Sequence, residues 1–83
     1  MEEGRSITVE PCGEGWTVRC DEVCEPVIFL SAARAEQHAK VLAVAIARSG
    51  SDVRLRVTDR DYSVVGAGRY FAIGPRGVWL SLA

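Results

Sequence analysis

Histidine is the scarcest chemically useful residue in this 83-residue chain: His38 stands alone, and no serine or cysteine motif surrounds it. Hydrolytic and proton-transfer chemistry need a nucleophile beside a base, so no catalytic pair can be assembled and a non-catalytic protein is expected. Cysteine is sparse and odd in number. Cys12, Cys20 and Cys24 speak against a disulfide framework and for reduced thiols. They form no CxxC knuckle, and Cys12 at a hairpin tip lies roughly 13 Å from Cys20 at about 3.3 Å per residue, so a zinc site completed by His38 is not expected. Gly66-Ala67-Gly68 begins like a dinucleotide fingerprint, but Tyr70-Phe71 stands where a third glycine and a helix start are required. No metal, cofactor or small-molecule substrate is indicated.

Long apolar runs are missing too. Residues 27–30 and 41–47 are far short of a bilayer span, and Met1-Glu2-Glu3 brings no basic leader, so a soluble, cytoplasmic protein with no membrane partner is expected. Neither sign of charge dominates: the net charge is −1 and the isoelectric point about 5.7, so any charge-driven partner must use a local patch. The charge is divided nonetheless, with seven acids and two bases in residues 1–26 and eight bases against four acids in residues 27–83. A composition of 48 % hydrophobic and 25 % charged residues is that of a globular chain, and its length suits one domain over residues 1–83.

What the sequence does carry is one long helical signal. Ala35, Ala39, Leu42, Ala43 and Ile46 fall on one stripe of a 3.6-residue period, the expected inward face, with Val41, Val44 and Ala47 on the far side. Ser31 is placed to cap the first turn, Leu30 to act as a hydrophobic staple against Ala35, and Gly50 to end the helix, which predicts residues 32–49. Three alanines in that stripe let the helix lie close to a sheet. Ile7 and Val9 alternate with polar residues, as do Trp16, Val18 and Cys20, which makes a hairpin around a turn at residues 11–15. Residues 21–25 look like an acidic loop, and residues 27–30 like a brief strand or extended lead. Val53, Leu55 and Val57 alternate with Arg54 and Arg56, and after a polar turn at Asp59-Arg60-Asp61 a strand over residues 62–65 ends at Gly66 and Gly68.

The order Ile7-x-Val9, Gly15-Trp16-x-Val18, Phe29, then a helix with Ala35, Ala39 and Leu42-Ala43 and a following strand resembles a small bacterial domain-of-unknown-function family, number twenty-one eighty-eight. The resemblance covers residues 7–65. It implies an α+β fold and a cytoplasmic bacterial origin, and it brings no activity or site residue with it.

The expected architecture is therefore α+β and two-layered: an antiparallel sheet of four or more strands with one helix on one face, in the order β-β-(β)-α-β-β plus a C-terminal hairpin over residues 70–83. Trp16, Phe29, Leu42, Ile46 and Leu55 are expected to form the core. The open face should display Ser6, Thr8, Thr17, Arg19, Arg54, Arg56 and Thr58, with no aromatic residue among them. The hairpin turns at residues 74–77, and Trp79 and Leu80 point to opposite sides of its second strand, leaving apolar surface for a partner. The favoured function is a protein-interaction or self-association module, a weak homodimer included. The alternative is binding of single-stranded RNA through Arg19, Arg54 and Arg56, which the missing aromatics weaken.

Overall fold

The computed structural model describes residues 4–21, 23–24, 27–73 and 77–82. Alternating apolar residues build β1 (Arg5–Cys12) and β2 (Gly15–Cys20), joined by the two-residue turn Gly13-Glu14. Gly13 has φ 59°, the left-handed conformation a tight hairpin needs and glycine supplies at least cost. Ile7, Val9 and Val18 are completely buried on the helix side. A two-residue strand, β3 (Val23–Cys24), pairs with the far edge of β2 inside the stretch expected to be a loop. Residues 27–30 form an extended lead that touches β2 at one bridge: Trp16 and Phe29 exchange both backbone hydrogen bonds, at 2.7 and 2.8 Å.

Gly15 lies beside that bridge because nothing larger fits. A Cβ there would stand 2.5 Å from the Phe29 carbonyl oxygen and 2.6 Å from Ile28 Cγ2. Gly15→Ala is expected to cost about 1–3 kcal/mol in a urea titration, since backbone must move to admit it. A loss below about 0.3 kcal/mol would mean the lead is not held against β2.

The helix α1 (Ala32–Arg48) is capped as its sequence suggests. Ser31 Oγ accepts from the Arg34 amide at 3.2 Å. At the other end Gly50, with φ 115°, donates to the Ala47 carbonyl and Ser51 to that of Ile46, the paired bonds of a Schellman motif. Leu30 is 88 % exposed and staples nothing. The buried line is Ala35, Ala39, Ala43 and Ala47, so Ala47 belongs to the inward face, while Leu42, Ile46 and Val44 flank it half-buried and Val41 alone of the outer set is exposed. A four-residue step advances about 40° beyond a full turn, so this line slants across the helix as a twisted sheet slants beneath it. Four methyl groups hold the two layers at close range.

β4 (Val53–Thr58) follows, then β5 (Val64–Ile73) and β6 (Gly77–Leu82). Among the described residues the sheet has six strands in the order β3-β2-β1-β4-β5-β6, and one neighbouring pair, β1 with β4, is parallel where an antiparallel sheet was expected. The cause is the route. After β2 the chain climbs along β2's edge to Phe29, comes back down through α1, and enters β4 running the same way as β1. A second difference is that β5 is one ten-residue strand passing through Gly66 and Gly68 rather than stopping there. Both glycines sit on the helix side, opposite Val57 and Leu55, where a side chain is least needed. Tyr70, opposite Val53, is 5 % exposed in the core, and burial raises its hydroxyl pKa. β6 completes the sheet beside β5; of the turn expected at residues 74–77, residues 74–76 lie outside the described residues. Of the expected core only Leu55 is fully buried; Trp16, Phe29, Leu42 and Ile46 pack half-buried around it.

Because β1 and β4 are parallel, the β1–β2 and β4–β5 turns lie at the same end. Arg60 joins them: its guanidinium donates to the Gly13 and Glu14 carbonyls at 2.9 and 2.7 Å and lies 4.8 Å above the Trp16 ring. Asp59 Oδ1 accepts from the amides of Asp61 and Ser63, and Tyr62 takes φ 65° to close the loop.

Candidate anion-binding face of the sheet

Strand alternation fixes which side chains face away from α1. With Val53, Leu55 and Val57 turned inward, Arg54 and Arg56 turn outward. On β5 the inward Tyr70 leaves Arg69 and Phe71 on the outer face. Register then brings them together: Arg54 lies opposite Arg69, Arg56 opposite Ala67, and Phe71 opposite Trp79. Arg54, Arg56 and Arg69 are exposed, and Phe71 is half-buried. Among the described residues no carboxylate pairs with any of the three arginines.

That arrangement is unfavourable for a fold alone. Like charges directly across a strand pair repel, by roughly 0.2–1 kcal/mol. Arg54, Arg56 and Arg69, together with Ala67 and Gly68, line an open depression of about 440 Å³. A second hollow of about 570 Å³ adjoins it, sharing Arg54 and Arg69 and continuing to Phe71, Ser6, Asp52 and Asp21. The acids at its far end are engaged: the Ser6 amide, then the Arg5 guanidinium at 2.6 Å, hold the Asp21 carboxyl below its usual range, and Asp52 Oδ1 accepts from the Ala72 amide at 2.9 Å. A planar, permanently charged guanidinium matches phosphate oxygens, and three of them beside two small residues make a seat for an anionic group.

The other predicted site residues separate. Arg19 is spent on Glu10, its Nε and Nη2 donating to the two carboxylate oxygens at 3.2 and 3.3 Å. Thr17 and Thr58 are buried rather than displayed, Thr58 donating to the Val9 carbonyl at 3.1 Å where the register shifts. For Trp79 and Leu80 the backbone register is defined, opposite Phe71 and Tyr70; their side chains lie outside what is described. A strand that stops at Gly66 and Gly68, as their local signal predicts, leaves Arg69 and Phe71 off this face. Continuing the alternation from Val64 through both glycines would have placed both on the arginine face.

His38 stands on the opposite layer, its ring 5.3 Å from that of Phe29. Among the described residues no group of three His, Cys, Asp or Glu side chains is gathered as a metal site would need, and no helix is long and apolar enough to cross a membrane. In comparisons with known proteins, no protein-family model matches the chain, and no curated protein or solved structure matches it either.

Proposed function

We propose that this domain binds single-stranded nucleic acid on the open face of its sheet, without catalysis, in the cytoplasmic bacterial setting that the family resemblance implies. The observation that carries the reading is the cluster of Arg54, Arg56 and Arg69, free of carboxylate partners among the described residues and continuous with Phe71. Phe71 adds an aromatic side chain to this face beside the arginines, the combination that single-strand-binding sheets use. Fluorescence anisotropy with a labelled ten-nucleotide RNA should give micromolar binding at about 50 mM salt that weakens as salt rises. Failure to bind at 100-fold higher protein concentration would end this proposal.

Self-association has one observation of its own. β6 is a six-residue edge strand, Gly-Val-Trp-Leu-Ser-Leu, with no charge and no proline, whereas the opposite edge, β3, is two residues long. Proteins usually blunt such an edge, and an antiparallel pairing of two β6 strands about a two-fold axis would cover it. Light scattering after size exclusion should then show a concentration-dependent dimer that Leu80→Lys, Ser81→Lys weakens. A chain that remains monomeric at millimolar concentration rules the pairing out.

A further inference from the structure

Hydrogen-bond directions, followed across the sheet, define what the β6 edge offers. Each residue of a strand turns its amide and carbonyl to one side, and the side alternates along the chain. The Arg5 amide donates to the Asp52 carbonyl and the Ala72 amide to the Asp52 carboxylate, so Asp52 turns its backbone to β1 and Ala72 turns its own towards β4. Along β5, Gly68, Tyr70 and Ala72 therefore serve β4, while Arg69, Phe71 and Ile73 serve β6, where they lie opposite Ser81, Trp79 and Gly77. That leaves the backbone groups of Val78, Leu80 and Leu82 turned outward, and among the described residues no strand lies beyond them. The three are evenly spaced about Leu80. A second β6, brought up antiparallel about a two-fold axis at Leu80, sets Leu80 against Leu80 and each Val78 against the other copy's Leu82. Every outward amide and carbonyl then finds a partner.

A sheet continued across such a seam keeps its faces. The axis stands normal to the sheet, so both helices lie on one side and both arginine clusters on the other. Only β6 separates Arg69 from the seam, and Arg54 stands one strand further in, opposite Arg69. At about 4.8 Å between strands and 3.4 Å along them, the two Arg69 Cα atoms stand roughly 16 Å apart and the two Arg54 Cα atoms roughly 25 Å. A stacked single strand advances about 3.4 Å per nucleotide, so about eight nucleotides cross from one cluster to the other.

We infer that β6 joins two copies of this chain into one sheet whose two arginine clusters form a single track for nucleic acid, so that the partner copy completes the site. This rests on the nucleic-acid reading and the β6 pairing above, and adds a coupling between them. At low salt the clusters repel across the seam, because the Debye length at 0.01 M, about 30 Å, exceeds their separation. A strand laid over both clusters removes that repulsion and ties the copies together. RNA long enough to reach both therefore promotes the dimer, and by linkage the dimer binds it more tightly.

The test compares oligouridylates of four and twelve nucleotides by anisotropy at one salt concentration, with light scattering after size exclusion to count chains per RNA. The shorter RNA reaches one cluster only. Wild-type protein should bind the longer RNA more than about 100-fold more tightly, two chains to one RNA, against about nine-fold from the nine registers of a four-nucleotide site on twelve nucleotides. Val78→Pro supplies the control, since it removes an outward amide, takes no bond from within the chain and adds no charge. The variant should keep the four-nucleotide affinity, which with circular dichroism shows it folded, while its length advantage drops to about nine-fold. A wild-type advantage of only about nine-fold, with one chain per RNA, overturns the shared track and leaves single-copy nucleic-acid binding standing. A dimer that forms equally with and without the longer RNA overturns the coupling and leaves the β6 pairing standing. If neither RNA binds, this inference falls with the nucleic-acid reading.

Discussion

Ile7→Ala should lower stability by about 2–5 kcal/mol, the range for truncating a large aliphatic side chain where the surroundings cannot close the cavity. Ile7 is fully buried at the centre of the sheet, paired with Cys20 on one side and Leu55 on the other, beneath the alanine line of α1. Strands on both sides and a helix above leave little room for collapse. For 83 residues the whole stability is on the order of 4–12 kcal/mol, so this one change removes a large share and should lower Tm by roughly 10–30 °C. Leu42→Ala provides the comparison. Leu42 was expected in the core, but it flanks the helix half-buried, and its truncation should cost less than about half as much. Urea titrations of both variants decide the matter: an equal loss would mean that the layers meet around Leu42 instead of the alanines.

The second large effect concerns the arginine face. Replacing Arg54, Arg56 and Arg69 together with alanine should weaken single-stranded RNA binding about 100-fold at low salt, taking about 1 kcal/mol for each contact. It should also flatten the dependence of log K on log salt by about 2, since each phosphate contact on a single strand contributes about 0.7 to the slope. Stability should hold or rise, because the Arg54–Arg69 repulsion across the strands is relieved. Loss of affinity with no loss of stability separates a binding surface from a structural one. A triple variant that binds as the wild type does would show that RNA, if bound, lies elsewhere.

Residues 70–73 show how much depends on strand length. Read as a separate hairpin, Phe71 is one more apolar residue in need of cover. Read as the continuation of β5, it is two positions from Arg69 on the same face, and Tyr70 becomes core. Gly66 and Gly68 carry the local signal of a break, but both lie on the helix side and β5 pairs on through them with β4. Pairing with β4 at both glycines, and with β6 as well at Gly68, outweighs their weak propensity. A similar override puts β3 within an acidic stretch, where the free edge of β2 supplies hydrogen bonds that local composition does not announce.

By itself the sequence determined the elements and their faces: the helix with its Ser31 and Gly50 caps, the β1–β2 hairpin, and the alternation that turns Arg54 and Arg56 away from the helix. Those follow from side-chain periodicity and from capping chemistry, which act within a few residues. Tertiary structure alone decided which strands are neighbours beyond that hairpin. It set β4 parallel to β1, brought Arg69 opposite Arg54, moved Arg19 out of the site by pairing it with Glu10, and carried Phe71 and Asp52 into one hollow. Alternation tells each residue its face but says nothing of what stands across the ladder, because pairing and register are settled between segments far apart in the chain by the burial of both faces at once.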